Sequence, residues 1–128
     1  MRLFLVRHAH SDPGEPDELR PLSARGRDEA RRLADVLAPA TPKLVLASPL
    51  LRARETAAAI AKASGADLRV DDRLAPGAVA SDVLEAIEGA GGTVVTVGHE
   101  PDCSEIAFAL GAGAVDFPPA GLAEIELP

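Results

Sequence analysis

The chain has 128 residues, 47% of them hydrophobic and 2% aromatic, which suits one domain, residues 1–128, with a core of small aliphatic side chains. Its net charge of −7 argues against nucleic acid as a partner, because binding a phosphate backbone draws on a basic patch. No run reaches membrane-spanning length and no signal peptide is legible at the amino terminus, so the expectation is a cytoplasmic protein without a membrane partner.

The charge is uneven. All 13 Lys and Arg lie at or before Arg73, and the remaining 55 residues hold nine acids and no Lys or Arg, so the two parts carry +2 and −9. That leaves room for one local cationic pocket. In chain order, Leu3–Val6 is a short apolar strand that delivers Arg7 and His8 to its carboxyl end. Asp12–Pro21 is rich in Pro, Gly and acids and reads as a surface loop with solvated carboxylates. Ser23 is placed to cap a helix in which Ala30, Leu33, Ala34 and Leu37 recur at helical spacing until Pro39. Lys43–Ala47 is a second buried strand. A helix follows at once, with Ser48 as its expected cap, Ala53, Ala57, Ile60 and Ala61 as its buried stripe, and Gly65 as its end.

Asp67–Val70 is a weak strand, Asp71–Ala80 a loop marked by Pro76 and Gly77, and Asp82–Glu88 a short helix. Thr93–Val97 is wholly β-branched, the strongest strand of the chain, and ends in Gly98, His99, Glu100 and Pro101. A helix over Asp102–Leu110 turns Ile106, Ala107 and Leu110 inward and carries the single Cys103 as a buried, inert thiol. Leu122–Leu127 alternates and closes the sheet as an edge strand. Strand and helix units in alternation predict an α/β fold, a three-layer α/β/α sandwich with a largely parallel sheet.

Ligands of open α/β sheets bind beyond the carboxyl ends of the strands. Arg7 and His8 after the first strand, Arg52 in the first turn after the second, and His99 after Thr93–Val97 therefore face one crevice. Two guanidiniums, two imidazoles and free helix N–H groups suit a tetrahedral dianion, with phosphoryl the natural choice. Taken singly, Arg52 could instead pair with Glu55 or Glu18, and His99 could be a helix cap.

The segments VRHAHS, RPLSARG, LASPLLRARETA and VVTVGHEPD resemble, in order, the motifs of the histidine phosphatase superfamily, whose signature is an Arg-His pair at the end of the first strand. The RHA form, VGHEPD, the short length and FPPAGLAEIEL are most similar to its phosphohistidine phosphatase branch. The resemblance implies a phosphoglycerate mutase-like fold, with His8 as nucleophile and Arg7, Arg52 and His99 as the phosphate pocket. It also puts Ser11 near the phosphate and Arg20 at the pocket rim. No cofactor or metal is expected, since no His, Cys and carboxylate cluster has ligand spacing and arginine neutralises charge in place of a cation.

The chain departs from the family at two places, and only the first bears on substrate. Related mutases and sugar-phosphate enzymes carry an acidic residue where this chain has Pro76, so the usual general acid is missing; Asp71, Asp72, Glu100 or the Asp12–Glu18 loop could replace it. Glu55 stands where the family commonly has Gln. The resulting expectation is a phosphatase working through a phosphohistidine intermediate on a phosphohistidine-bearing protein. The alternatives are a phosphomonoesterase acting on a small phosphorylated substrate, or a phosphate-binding module without catalysis.

Overall fold

The computed structural model describes residues 1–128. Strands β1 (Arg2–Arg7), β2 (Leu44–Ala47), β3 (Asp67–Val70), β4 (Thr93–Gly98) and β5 (Leu122–Glu126) form one sheet in the order β3-β2-β4-β1-β5. The first four are parallel, and β5 pairs antiparallel with β1 at the edge. Helices α1 (Ala24–Leu37), α2 (Leu51–Ser64), α3 (Ala80–Ala86) and α4 (Asp102–Ala109) cover it. No helix is long and apolar enough to cross a membrane.

Strand periodicity divides the core. Leu3 and Leu5 of β1 and Val94 of β4 meet Val83 of α3 and Ile106 of α4, while Phe4, Val6, Val95 and Val97 meet Leu33 and Leu37 of α1 and Ala57 and Ile60 of α2. Residues two apart share a face, so the chain builds the α/β/α sandwich read from its sequence. Strands β1 and β4 are buried on both faces, which is why they read as unbroken apolar or β-branched runs.

Three elements depart from the sequence reading. Helix α3 begins at Ala80 rather than Asp82, because the Asp82 carboxylate accepts the Val79 N–H at 2.9 Å and caps a helix that starts earlier. Ser48 is not the cap of α2, which starts from Leu50 without a side-chain cap. Its hydroxyl is fully buried and turned to His99. The loop Asp12–Pro21 contains a 3₁₀ turn, Asp17–Leu19, whose Asp17 is clamped by two arginines rather than simply solvated.

Ser23 does cap α1, accepting the Gly26 N–H at 3.0 Å. Gly26 then presses against the segment after β1: a Cβ there would stand 1.9 Å from the His10 carbonyl oxygen. In the parallel register Val6 lies beside Val97, and Val97 beside Ala47. The residues that follow, His8, His99 and Ser48, are thereby delivered to one end of the sheet.

Candidate active site

A polar cleft of about 430 Å³ opens at that end, lined by Arg7, His8, His10, Ser11, Asp17, Arg20, Arg52, Pro76, His99, Glu100 and Pro119. Every site residue expected from the sequence is among them. His8 leaves β1 with its backbone N–H bonded to the Gly98 carbonyl at 3.0 Å. Its ring Nδ1 lies 2.7 Å from the Ala9 carbonyl oxygen, an acceptor, so Nδ1 carries the proton and Nε2 keeps its lone pair. Burial pushes the His8 pKa down to about 4; the bond to Ala9 opposes this, and the charges of Arg52, Arg7 and Arg20 add to the fall. His8 is neutral across the physiological range.

Thr56 braces this turn. Its hydroxyl accepts the Ala9 N–H at 3.0 Å and donates to the Arg52 carbonyl at 2.9 Å, tying the chain after β1 to α2.

His99 stacks obliquely on His8 with ring centroids 5.2 Å apart. Burial, then the neighbouring His8 and Arg52, push its pKa down to about 3. Its Nε2 is 2.7 Å from the Ser48 hydroxyl, which also receives the Leu50 N–H at 3.3 Å. A hydroxyl that already accepts one bond has its proton to give, and Nε2 is the acceptor in reach. The neutral ring therefore carries its own proton on Nδ1, a buried atom without a partner in the protein.

The guanidiniums are held by partners in the protein. Arg7 donates to the Phe117 carbonyl at 2.8 Å. Arg52, only 6% exposed, donates to the Asp17 carbonyl at 2.9 Å and to its carboxylate at 3.3 Å. It pairs with neither Glu55 nor Glu18. Arg20 reaches the same carboxylate at 3.0 Å. The Nε groups of Arg7 and Arg52 are buried without partners. Ser11 is at the rim, its hydroxyl proton committed to the Pro21 carbonyl at 2.7 Å. Glu55 accepts the Leu22 N–H at 2.8 Å and so holds the RPLS segment against α2.

Two carboxylates face the cleft, and both are engaged. Desolvation raises the Asp17 pKa, but Arg52 and Arg20 outweigh it and hold the group below the usual carboxylate range. Glu100 accepts the Ser104 N–H at 2.7 Å and the Ser104 hydroxyl, capping α4. Asp71 binds Arg73 instead, and neither it nor Asp72 lines the cleft. Pro76 does. No three His, Cys, Asp or Glu side chains gather as a metal-ligand set. Cys103 is buried, and that burial raises its thiol pKa to about 12.

Sequence reasoning missed His10, Asp17 and Ser48. His10 lines the cleft with Nδ1 2.6 Å from the Ser23 hydroxyl, and its signal was the spacing of two histidines on one turn. Asp17 and Ser48 carried no local signal, since their partners stand 35 and 51 residues away.

Sheet order and strand-end cluster together define an α/β protein of phosphoglycerate mutase-like fold with a polar cleft at the carboxyl ends of its strands. Residues 3–76 match the model of the histidine phosphatase superfamily (branch 1), and the chain belongs to that superfamily. The structure of the protein histidine phosphatase SixA complexed with tungstate is similar at a TM-score of 0.87 and 27% identity, over 99% of this chain and 88% of that one. The structure of the putative phosphohistidine phosphatase SixA from Agrobacterium tumefaciens gives a TM-score of 0.82 at 32% identity, over 96% of this chain and 89% of that one. A curated relative, the glucosyl-3-phosphoglycerate phosphatase of Mycolicibacterium vanbaalenii, is 35% identical over 78 residues; the match takes in 57% of this chain and 35% of that protein's length.

Proposed function

We propose that this protein is a phosphatase that takes a phosphoryl group onto Nε2 of His8 and releases it to water, with phosphohistidine in a protein as the substrate. The observation that carries this reading is the His8 imidazole: neutral, fixed by Ala9 through Nδ1, and free at Nε2 among guanidiniums. A module that merely bound phosphate would have no use for such a nucleophile. Nε2 attacks phosphorus in line, and the bonding pair of the breaking P–N bond stays with the leaving imidazole. Water then attacks the phosphorylated His8, whose nitrogen recovers its pair, and a proton passes to solvent. Arg7, Arg52 and the Nδ1–H of His99 hold the equatorial oxygens. Charge is neutralised by arginine, so no metal or cofactor is needed.

The leaving group follows from the carboxylates. An alkoxide needs a proton as it departs, help worth about 10²- to 10⁴-fold. Asp17 is ionised and clamped, Glu100 is spent on Ser104, and Pro76 stands at the remaining position. A phosphorylated imidazole can carry a proton on its far nitrogen and leave neutral without help. The protein histidine phosphatase SixA among the fold's neighbours supports the same substrate class.

The test is a substrate panel. Phosphohistidine and activated aryl phosphates should turn over far faster than sugar phosphates, and Pro76→Glu should raise the alkyl phosphate rate more than the phosphoramidate rate. Equal or faster wild-type turnover of an alkyl phosphate would favour the second reading, a small-molecule phosphomonoesterase, for which the named activity of the curated relative speaks.

A further inference from the structure

Phe108 is the most exposed large apolar side chain of the protein, at 70%. It lies in an open groove with Ser104 and Glu105 of α4 on one bank and Ala114, Val115 and Asp116 on the other. Both banks belong to chain segments that reach the active-site cleft. On the first, Phe108 sits one turn beyond Ser104, which is bonded to Glu100, and Glu100 lines the cleft. On the second, Asp116 precedes Phe117, whose carbonyl holds Arg7, and Pro119 lines the cleft again.

The groove has a definite charge. Glu105 and Asp116 are exposed on opposite banks, and no Lys or Arg occurs anywhere beyond Arg73. Two copies meeting here would set acid against acid, so self-association is disfavoured and a basic partner suits it. An isolated exposed apolar residue needs no explanation. One standing in an acidic groove, on segments that also reach the catalytic cleft, is placed to read what flanks the reacting group.

We propose that this groove docks the polypeptide around the phosphohistidine, taking an apolar side chain against Phe108 and Lys or Arg between Glu105 and Asp116. This rests on the phosphohistidine-protein reading above. Helical rise from Asp102 to Phe108 is roughly 9 Å, the two residues back to Glu100 add a few ångströms more, and an extended peptide covers that reach in about four residues. The apolar anchor therefore falls about four residues from the phosphohistidine.

The probe is a synthetic phosphohistidine peptide with Leu four residues from the phosphohistidine and two adjacent Lys, compared with free phosphohistidine. Phe108→Ala and the double substitution Glu105→Lys with Asp116→Lys change exposed side chains outside the catalytic machinery. Each should lower kcat/KM on the peptide about tenfold, through KM, and leave free phosphohistidine unchanged. A peptide with Glu in place of its Lys should regain rate with the double variant. Equal values for wild type and variants on the peptide would overturn the docking proposal while leaving the phosphatase reading intact. Wild-type inertness toward both substrates would instead overturn that reading and the docking site with it. Sedimentation showing a dimer that Phe108→Ala dissolves would assign the groove to a second copy and likewise overturn the proposal.

Discussion

Acidification separates this site from an ordinary histidine. With an unperturbed pKa near 6.5, about nine-tenths of an imidazole is protonated at pH 5.5, and a nucleophile of that kind would lose about tenfold in rate. His8, pushed down to about 4 chiefly by burial, stays almost wholly neutral there. The profile of kcat/KM, which reports the free enzyme, should fall on its acid side with an apparent pKa near 4. The assay is initial rates on an activated aryl phosphate between pH 3.5 and 8, corrected for the substrate's own ionisation. Because the Arg20 charge contributes to the depression, Arg20→Met should move the limb to higher pH. Stability is linked with the same sign: the unfolded chain takes up protons on His8 and His99 below pH 6.5 and the folded chain does not, so stability is full above that value and lost as pH falls toward 4 and 3. For His8, lowered from 6.5 to about 4, the limit is about 3 kcal/mol, less in practice because the ring borders an open cleft. His8→Ala should therefore lose less stability than wild type between pH 7 and 4. An acid limb near 6.5 together with no difference between the variant and wild type would refute the reasoning.

Ser48→Ala leaves Nε2 of His99 buried without its donor, at a cost of about 1–3 kcal/mol; kcat/KM should fall at least tenfold, and ¹⁵N spectra should show the His99 proton no longer confined to Nδ1. Unchanged spectra would remove Ser48 from the site's machinery. Gly26→Ala would ordinarily gain about 1 kcal/mol in a helix, yet its Cβ would collide with the His10 carbonyl. A net loss of about 2 kcal/mol by denaturant unfolding is expected, and a gain would show that α1 can move away. Asp17→Asn removes the carboxylate that competes for Arg52 and Arg20, so calorimetry should show inorganic phosphate binding several-fold tighter. Weaker binding would mean that Asp17 chiefly props the arginines.

The fold was legible wherever burial wrote a period into the sequence. Strands β1 and β4, covered on both faces, read as continuous apolar runs, and their ends announced Arg7, His8 and His99. Strand β3 read weakly because all four of its residues are exposed. The start of α3 was misjudged because Asp82 acts backward on Val79 rather than as the first residue of the helix. Strand ends placed Arg7, His8 and His99 together, since parallel strands bring their carboxyl termini to one edge, whereas Arg52 came from a helix's first turn and Arg20 from the family resemblance. The site's remaining polar partners were not legible in this way. Ser48 looks like a cap from its neighbours and becomes a ligand of His99 only when β2 is set beside β4. Asp17 looks solvated until its turn folds onto α2.

A phosphoryl group carried on His8 is directly observable. Rapid mixing with a radiolabelled phosphoramidate and quenching within the first turnover should trap an acid-labile, base-stable label on His8 that is absent from His8→Ala. Product release at the wild-type rate by His8→Ala, or a label on any other residue, would contradict it.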